Sequence, residues 1–148
     1  MSKTSKTTTP PWVAADTEYG WAVKNAKTYE FFTCTTKAEA VRLAAQFNAD
    51  IAMLKTFPKH LRLTHPQWRI IRKVATLALG MSETTQNLGR MLGYDDRYIA
   101  NYLWPRLSAM LKRGFLVKQR TGSVTRWQLG PRCDELKERN LLAMDEPS

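Results

Sequence analysis

Thr84-Thr85-Gln86-Asn87-Leu88-Gly89-Arg90-Met91-Leu92-Gly93 opens the stretch that decides the fold, residues 84–129. Its apolar spacing predicts a short helix, with Thr84 placed to accept a hydrogen bond from the helix's unpaired first amides. Gly93-Tyr94-Asp95-Asp96 follows as a turn. Arg97 to Arg113 then places Ile99, Leu103, Leu107, Met110 and Leu111 on one helical face. Gly114 ends that helix, as a residue free to take positive φ. Phe115-Leu116-Val117-Lys118-Gln119-Arg120 and Val124-Thr125-Arg126-Trp127-Gln128-Leu129 flank Thr121-Gly122-Ser123. Two β-rich runs around a glycine turn predict a hairpin.

That order is a capped helix, a second helix ending in a basic pair before Gly-Phe-Leu, and a basic hairpin. It resembles the winged helix-turn-helix of bacterial transcription regulators such as the MarR-like proteins, over about residues 62–130. The resemblance implies duplex DNA as partner, with the second helix in the major groove and the hairpin as wing. Two features depart from the family pattern. Counted back from Gly114, the second helix is about one turn longer, and Pro105 lies inside it. A proline there removes a backbone donor and crowds the carbonyl of Asn101, so a kink near Leu103-Trp104 or a split before Arg106 is expected.

Charge points the same way. The chain of 148 residues has 23 basic and 13 acidic side chains, a formal net charge of +10. Residues 61–132 hold thirteen basic and three acidic side chains, and so equal the whole surplus. Residues 1–60 carry net +3 and residues 133–148 net −3. Basic charge either keeps a protein dispersed or serves a polyanion by releasing its condensed counterions. Its coincidence with the helix-turn-helix pattern favours the polyanion.

Working outward, Thr64-His65-Pro66-Gln67 starts a helix by a Thr-x-x-Gln box with proline in the first turn. Trp68, Ile70, Ile71, Val74, Leu77 and Ala78 form its apolar face, and Gly80 closes it. Arg69, Arg72 and Lys73 are either backbone contacts or the wet side of this helix. Upstream, residues 18–34 alternate as strands, with Tyr19, Trp21 and Val23 on one face and a turn at Asn25-Ala26-Lys27. Thr36-Lys37-Ala38-Glu39 is a capping box for a helix with Ala40, Val41, Leu43, Ala44, Ala45 and Phe47 as its stripe. Residues 1–15, rich in Thr, Ser, Lys and Pro, read as a flexible arm. Lys3 and Lys6 in it either touch DNA or do nothing. Downstream, Cys133 to Leu142 reads as a last helix, either a dimerisation element or one that packs on its own domain, before an acidic tail.

The expected fold class is therefore α+β. A ββα unit (16–60) precedes a winged helix-turn-helix domain (61–130), a short C-terminal helix and the tail (131–148). On the second helix the outward positions are Arg97, Tyr98, Asn101, Tyr102 and Arg106. Arginine suits the guanine O6/N7 edge and asparagine the adenine N6/N7 edge, while tyrosine reaches a phosphate by its hydroxyl or a thymine methyl by its ring. The wing offers Lys118, Arg120, Thr121, Ser123 and Arg126 to the sugar-phosphate backbone or a minor groove. Thr84, Thr85 and Gln86 offer amides for a phosphate. Trp104 is left between core, kink filler and partner contact.

Cys34 and Cys133 lie far apart, outside any CxxC or Cys/His cluster, and read as reduced thiols. His60 and His65 are the only histidines, with no HExxH and no glycine-rich phosphate loop. Asp95 and Asp96 diverge on a helix and suit its start. No enzyme, metal or cofactor is expected. No apolar run approaches membrane-spanning length, so the expected place is the cytoplasm, at the nucleoid. The expected function is sequence-specific duplex DNA binding by a homodimeric transcription regulator. A phage or plasmid replication protein, or a winged-helix adaptor that binds a protein partner through its ββα unit, are the alternatives.

Overall fold

The computed structural model describes residues 10–28, 30–77 and 82–142. The arm's first nine residues, Ala78 and Gly80 at the end of the predicted helix, and residues 143–148 of the acidic tail lie outside them. The chain is α+β, with two small antiparallel sheets and helices, and divides into two compact units at Phe57/Pro58.

The first unit begins earlier than its composition suggested. Residues 12–15, expected in the arm, belong to strand β1 (Trp12–Thr17). It pairs with β2 (Gly20–Asn25), which pairs with β3 (Phe31–Thr33), in the order β1-β2-β3. The unit is thus βββα rather than ββα. Tyr19 lies in the tight turn between β1 and β2, not on a strand face, and Gly20 takes φ +102 there. Trp12 explains why β1 is held. Its ring meets Phe47 edge-on at 5.0 Å and Phe32 at 5.9 Å, in a core with Val23 and Ala44. The Asn48 side chain also accepts from the Trp12 amide at 3.0 Å and donates to its carbonyl at 2.9 Å.

Phe47 and Asn48 come from helix α1 (Lys37–Leu54), which Thr36 caps by accepting from the Glu39 amide at 3.1 Å. Only half of the expected box forms at Thr36. The Glu39 carboxylate instead accepts from the Thr35 amide at 2.7 Å and the Thr35 hydroxyl at 2.8 Å, which holds it below the usual carboxylate range. Two donors one residue earlier outcompete one. Val41 and Ala45, placed in the apolar stripe, are exposed.

The second unit opens with a 3₁₀ turn (Lys59–Leu61) and α2 (His65–Ala75), where both halves of the Thr64/Gln67 box are made and Pro66 sits in the first turn. Trp68, Ile70, Ile71 and Val74 are buried. A two-residue strand β4 (Glu83–Thr84) leads into α3 (Thr85–Met91), capped by Thr84. Gly93 takes φ +90, and α4 (Asp96–Tyr98) starts with Asp95 accepting from the Arg97 amide. A π turn, Ile99–Leu103, joins α4 to α5 (Trp104–Lys112).

Pro105 accounts for that turn. Its ring would press on the carbonyl four residues back, and widening the helix moves that carbonyl away. The Trp104 amide accordingly bonds Ile99, five residues back. The expected kink or split takes the form of a wide turn, and Ile99, Leu103, Leu107 and Met110 all stay buried.

Strands β5 (Leu116–Thr121) and β6 (Val124–Leu129) form a hairpin closed by Gly122-Ser123, with Gly122 at φ +64. Thr121 belongs to the strand, paired with Val124. β4 joins the far side of β6, so the sheet order is β4-β6-β5. Helix α6 (Arg132–Glu138) packs on its own unit. Cys133 donates to the Phe115 carbonyl at 3.2 Å, and Leu136 and Leu142 are buried. Burial pushes the Cys133 thiol up to about 12. Among the described residues, no helix is long and apolar enough to cross a membrane.

Candidate nucleic-acid interface

Arg97, Tyr98, Asn101 and Tyr102 are all exposed on one side of α4 and the π turn. Their spacing of three and four residues brings them together. The tyrosine rings pack edge to face, with centroids 5.4 Å apart and planes at 71°, and they remain 43% and 46% exposed. The Arg97 guanidinium lies 5.3 Å from the Tyr98 centroid and reaches the Asp95 carboxylate at 3.5 Å. Among the described residues, the side-chain amide of Asn101 meets no hydrogen-bond partner, and it is open to solvent.

Arg106 does not stand out from this face. It is half-buried and donates to the Tyr102 carbonyl one turn back, within the helix that Pro105 disturbs. Trp104 is 38% exposed and meets the buried Trp127 edge-on at 5.6 Å, so it links the helix to the hairpin.

Of Thr84, Thr85 and Gln86, whose amides were offered to a phosphate, Thr84 has both its amide and its hydroxyl engaged within the chain. The Thr84 hydroxyl accepts from the Asn87 amide at 3.2 Å, and the Thr84 amide donates to Glu83 at 2.8 Å. The Thr85 hydroxyl accepts from the Trp127 indole at 2.7 Å. Gln86 is exposed. The Glu83 carboxylate at this helix start opposes a second anion. Sequence periodicity placed these residues at a helix start but could not show that Glu83 takes the Thr84 amide.

The hairpin's residues separate by face. Cross-strand partners point to the same side of a sheet. Lys118 pairs with Trp127 and Arg120 with Thr125, so both stand on the Trp127 face, which Trp104 also meets. Thr121 and Arg126 are on the reverse face, and Arg126 reaches the Ser82 carbonyl at 3.4 Å. Ser123 is exposed in the turn, where Arg120 donates to the Gly122 carbonyl at 3.4 Å. The five therefore do not make one surface: Arg126 is turned away from Lys118 and Arg120.

Compared with family models, curated proteins and solved structures, the chain has no match.

Two contacts that sequence reading missed hold the helices in place. Arg90 clamps Asp96 with two bonds of 3.1 and 3.0 Å, which keeps that carboxyl below its usual range and raises the guanidinium. The signal was available as a base in the last turn of one helix and an acid in the first turn of the next. Arg69, which sequence left between DNA and solvent, donates to the Leu92 carbonyl at 2.7 Å and so ties α2 to the end of α3. Closeness of α3 to the π turn rests on Gly89, where a Cβ would come within 2.7 Å of Ile99.

Of the titratable groups considered for other chemistry, His60 pairs with Glu135 at 2.7 Å on the surface. Burial, and then the charge of Arg69, hold His65 down to about 4. Among the described residues, no three His, Cys, Asp or Glu side chains come together to hold a metal.

Proposed function

We propose that the chain binds double-stranded DNA sequence-specifically, as a transcription regulator, through a winged helix formed by its second unit. In this reading α4, the π turn and α5 enter the major groove as one recognition helix, and β5–β6 is the wing. The observation that carries it is a coincidence of charge and topology. Residues 61–132 hold thirteen basic against three acidic side chains and run α2, β4, α3, α4–α5, β5, β6. The short strand β4 beside β6 gives a three-stranded sheet next to the helices, an arrangement that supports the winged-helix reading.

Exposed polar and aromatic side chains on the recognition helix's outer face supply base contacts, while Lys118 and Arg120 supply phosphate contacts from the wing. A homodimer on a two-fold site belongs to the proposal. The Cys133 and Leu136 side of α6 is already covered within its own unit, so the dimer forms on another surface.

Selection of bound duplexes from a random-sequence pool at near-physiological salt tests the reading. Enrichment of a short element, palindromic if the dimer is right, is the expected result. A flat profile with uniform weak binding would reject sequence recognition, and no binding would reject the DNA-binding reading in favour of the protein-binding adaptor. Selection from genomic fragments then places the element at a promoter, as a regulator requires, or at an origin, as a replication protein requires.

A further inference from the structure

The outward face of α4 and the π turn carries one arginine, Arg97, beside an asparagine and two tyrosines. Arginine reads guanine by presenting a free guanidinium fork to O6 and N7. Arg106 has folded back onto the Tyr102 carbonyl. Arg97 is 74% exposed, 3.5 Å from the Asp95 carboxylate and over the ring of Tyr98. Beside it solvent meets one amide, Asn101, on the same side as two aromatic rings that are 43% and 46% exposed.

Those groups match one kind of base pair. A side-chain amide donates and accepts against adenine N7 and N6, and an apolar surface contacts the thymine 5-methyl. Ring stacking on unpaired bases fits less well. Stacking needs free ring faces, and here one ring's face takes its neighbour's edge while Arg97 covers a face of Tyr98. Two of the pair's four faces are thus occupied, which leaves no run of adjoining faces for successive bases. The edge-to-face packing also holds each ring against the other before any ligand arrives, so binding freezes little further rotamer freedom.

On the DNA-binding reading above, we propose that Tyr98, Asn101 and Tyr102 make this helix a reader of A·T pairs. Asn101 engages the adenine edge, and the two rings engage thymine methyl groups.

Replacing thymine by uracil removes only the methyl, and this supplies the test. Duplexes recovered from the random-sequence pool are remade with uracil, and binding of the full chain is followed by fluorescence anisotropy. The parent protein is expected to bind the thymine form more tightly, by about fourfold for each methyl buried. Tyr98→Ala and Tyr102→Ala should lessen that ratio, and Tyr98→Phe and Tyr102→Phe should keep it, because the ring is what contacts the methyl. Asn101→Ala should relax adenine preference at one position of the selected element. Tight binding with equal affinity for both forms overturns the A·T inference and leaves the DNA-binding reading standing. A thymine preference unchanged in both alanine variants does the same, since the methyl is then read elsewhere. If no duplex of either form is bound, both readings fall and the rings are left to a protein partner.

Discussion

Thr85 shows how a single hydroxyl serves the core instead of a ligand. It accepts the indole N–H of Trp127, a fully buried side chain whose donor would otherwise have none of the water it had when unfolded. Thr85→Val keeps the shape and removes the acceptor, so destabilisation by about 1–3 kcal/mol is expected, measured by urea denaturation. His65 makes a second prediction, on pH. Held at about 4 against an ordinary 6.5, it is neutral in the folded chain while the unfolded chain takes up a proton. Stability is therefore full above about pH 6.5 and falls as pH drops toward 4, by about 3 kcal/mol in all. Thermal unfolding of His65→Gln should show a shallower pH dependence than the parent across that window. A parallel pair of curves would reject the assignment.

Gly130, Gly89 and Pro105 govern how the elements meet. A Cβ at Gly130 would lie 2.4 Å from the Gly114 carbonyl oxygen and 2.9 Å from the Leu116 amide, both backbone atoms. At Gly89 it would meet side-chain atoms of Ile99 at 2.7 Å, with no backbone atom among its nearest neighbours. Gly130→Ala should thus cost about 3 kcal/mol and Gly89→Ala about 1 kcal/mol, as read from denaturation midpoints. Pro105→Ala restores a donor and removes the crowding that favours the π turn. Its expected result is unchanged or higher melting temperature with DNA affinity several-fold lower, because Tyr98 and Tyr102 shift as the helix tightens. Much of this element order was legible in sequence: Thr36, Thr64, Thr84 and Asp95 mark helix starts, Gly114 an end, and Gly122 a hairpin. Less was legible where a distant partner decides. Trp12-Val13 is only a short β-favouring pair between a Thr- and Pro-rich run and two alanines, and Phe47, Phe32 and Asn48 hold it in a strand. The two residues of β4 are a strand only because β6 lies alongside. Exposure of the candidate face followed from periodicity, but the engagements of Arg97, Arg106, Thr85 and Arg126 depend on which neighbours folding brings within reach.

Across the chain as a whole, on the proposal of DNA binding, the basic surplus sets how that binding responds to salt. Removing one phosphate-neutralising side chain should lower the slope of log K against log salt concentration by about 0.9. Lys118→Ala with Arg120→Ala should therefore flatten the slope by about 2 with the selected sequence unchanged, in anisotropy titrations across salt concentrations. Arg126→Ala, on the opposite sheet face, should alter it little. Behaviour at high protein concentration turns on a different feature, the double hydrogen bond between Asn48 and the backbone of Trp12. β1 is an edge strand, and edges recruit strands from other chains when their peptide groups stand open. At Trp12 those groups are already filled by an amide that imitates one residue of a neighbouring strand. Asn48 thus guards solubility, and an Asn48→Leu variant would be expected to fold yet assemble into insoluble material on storage.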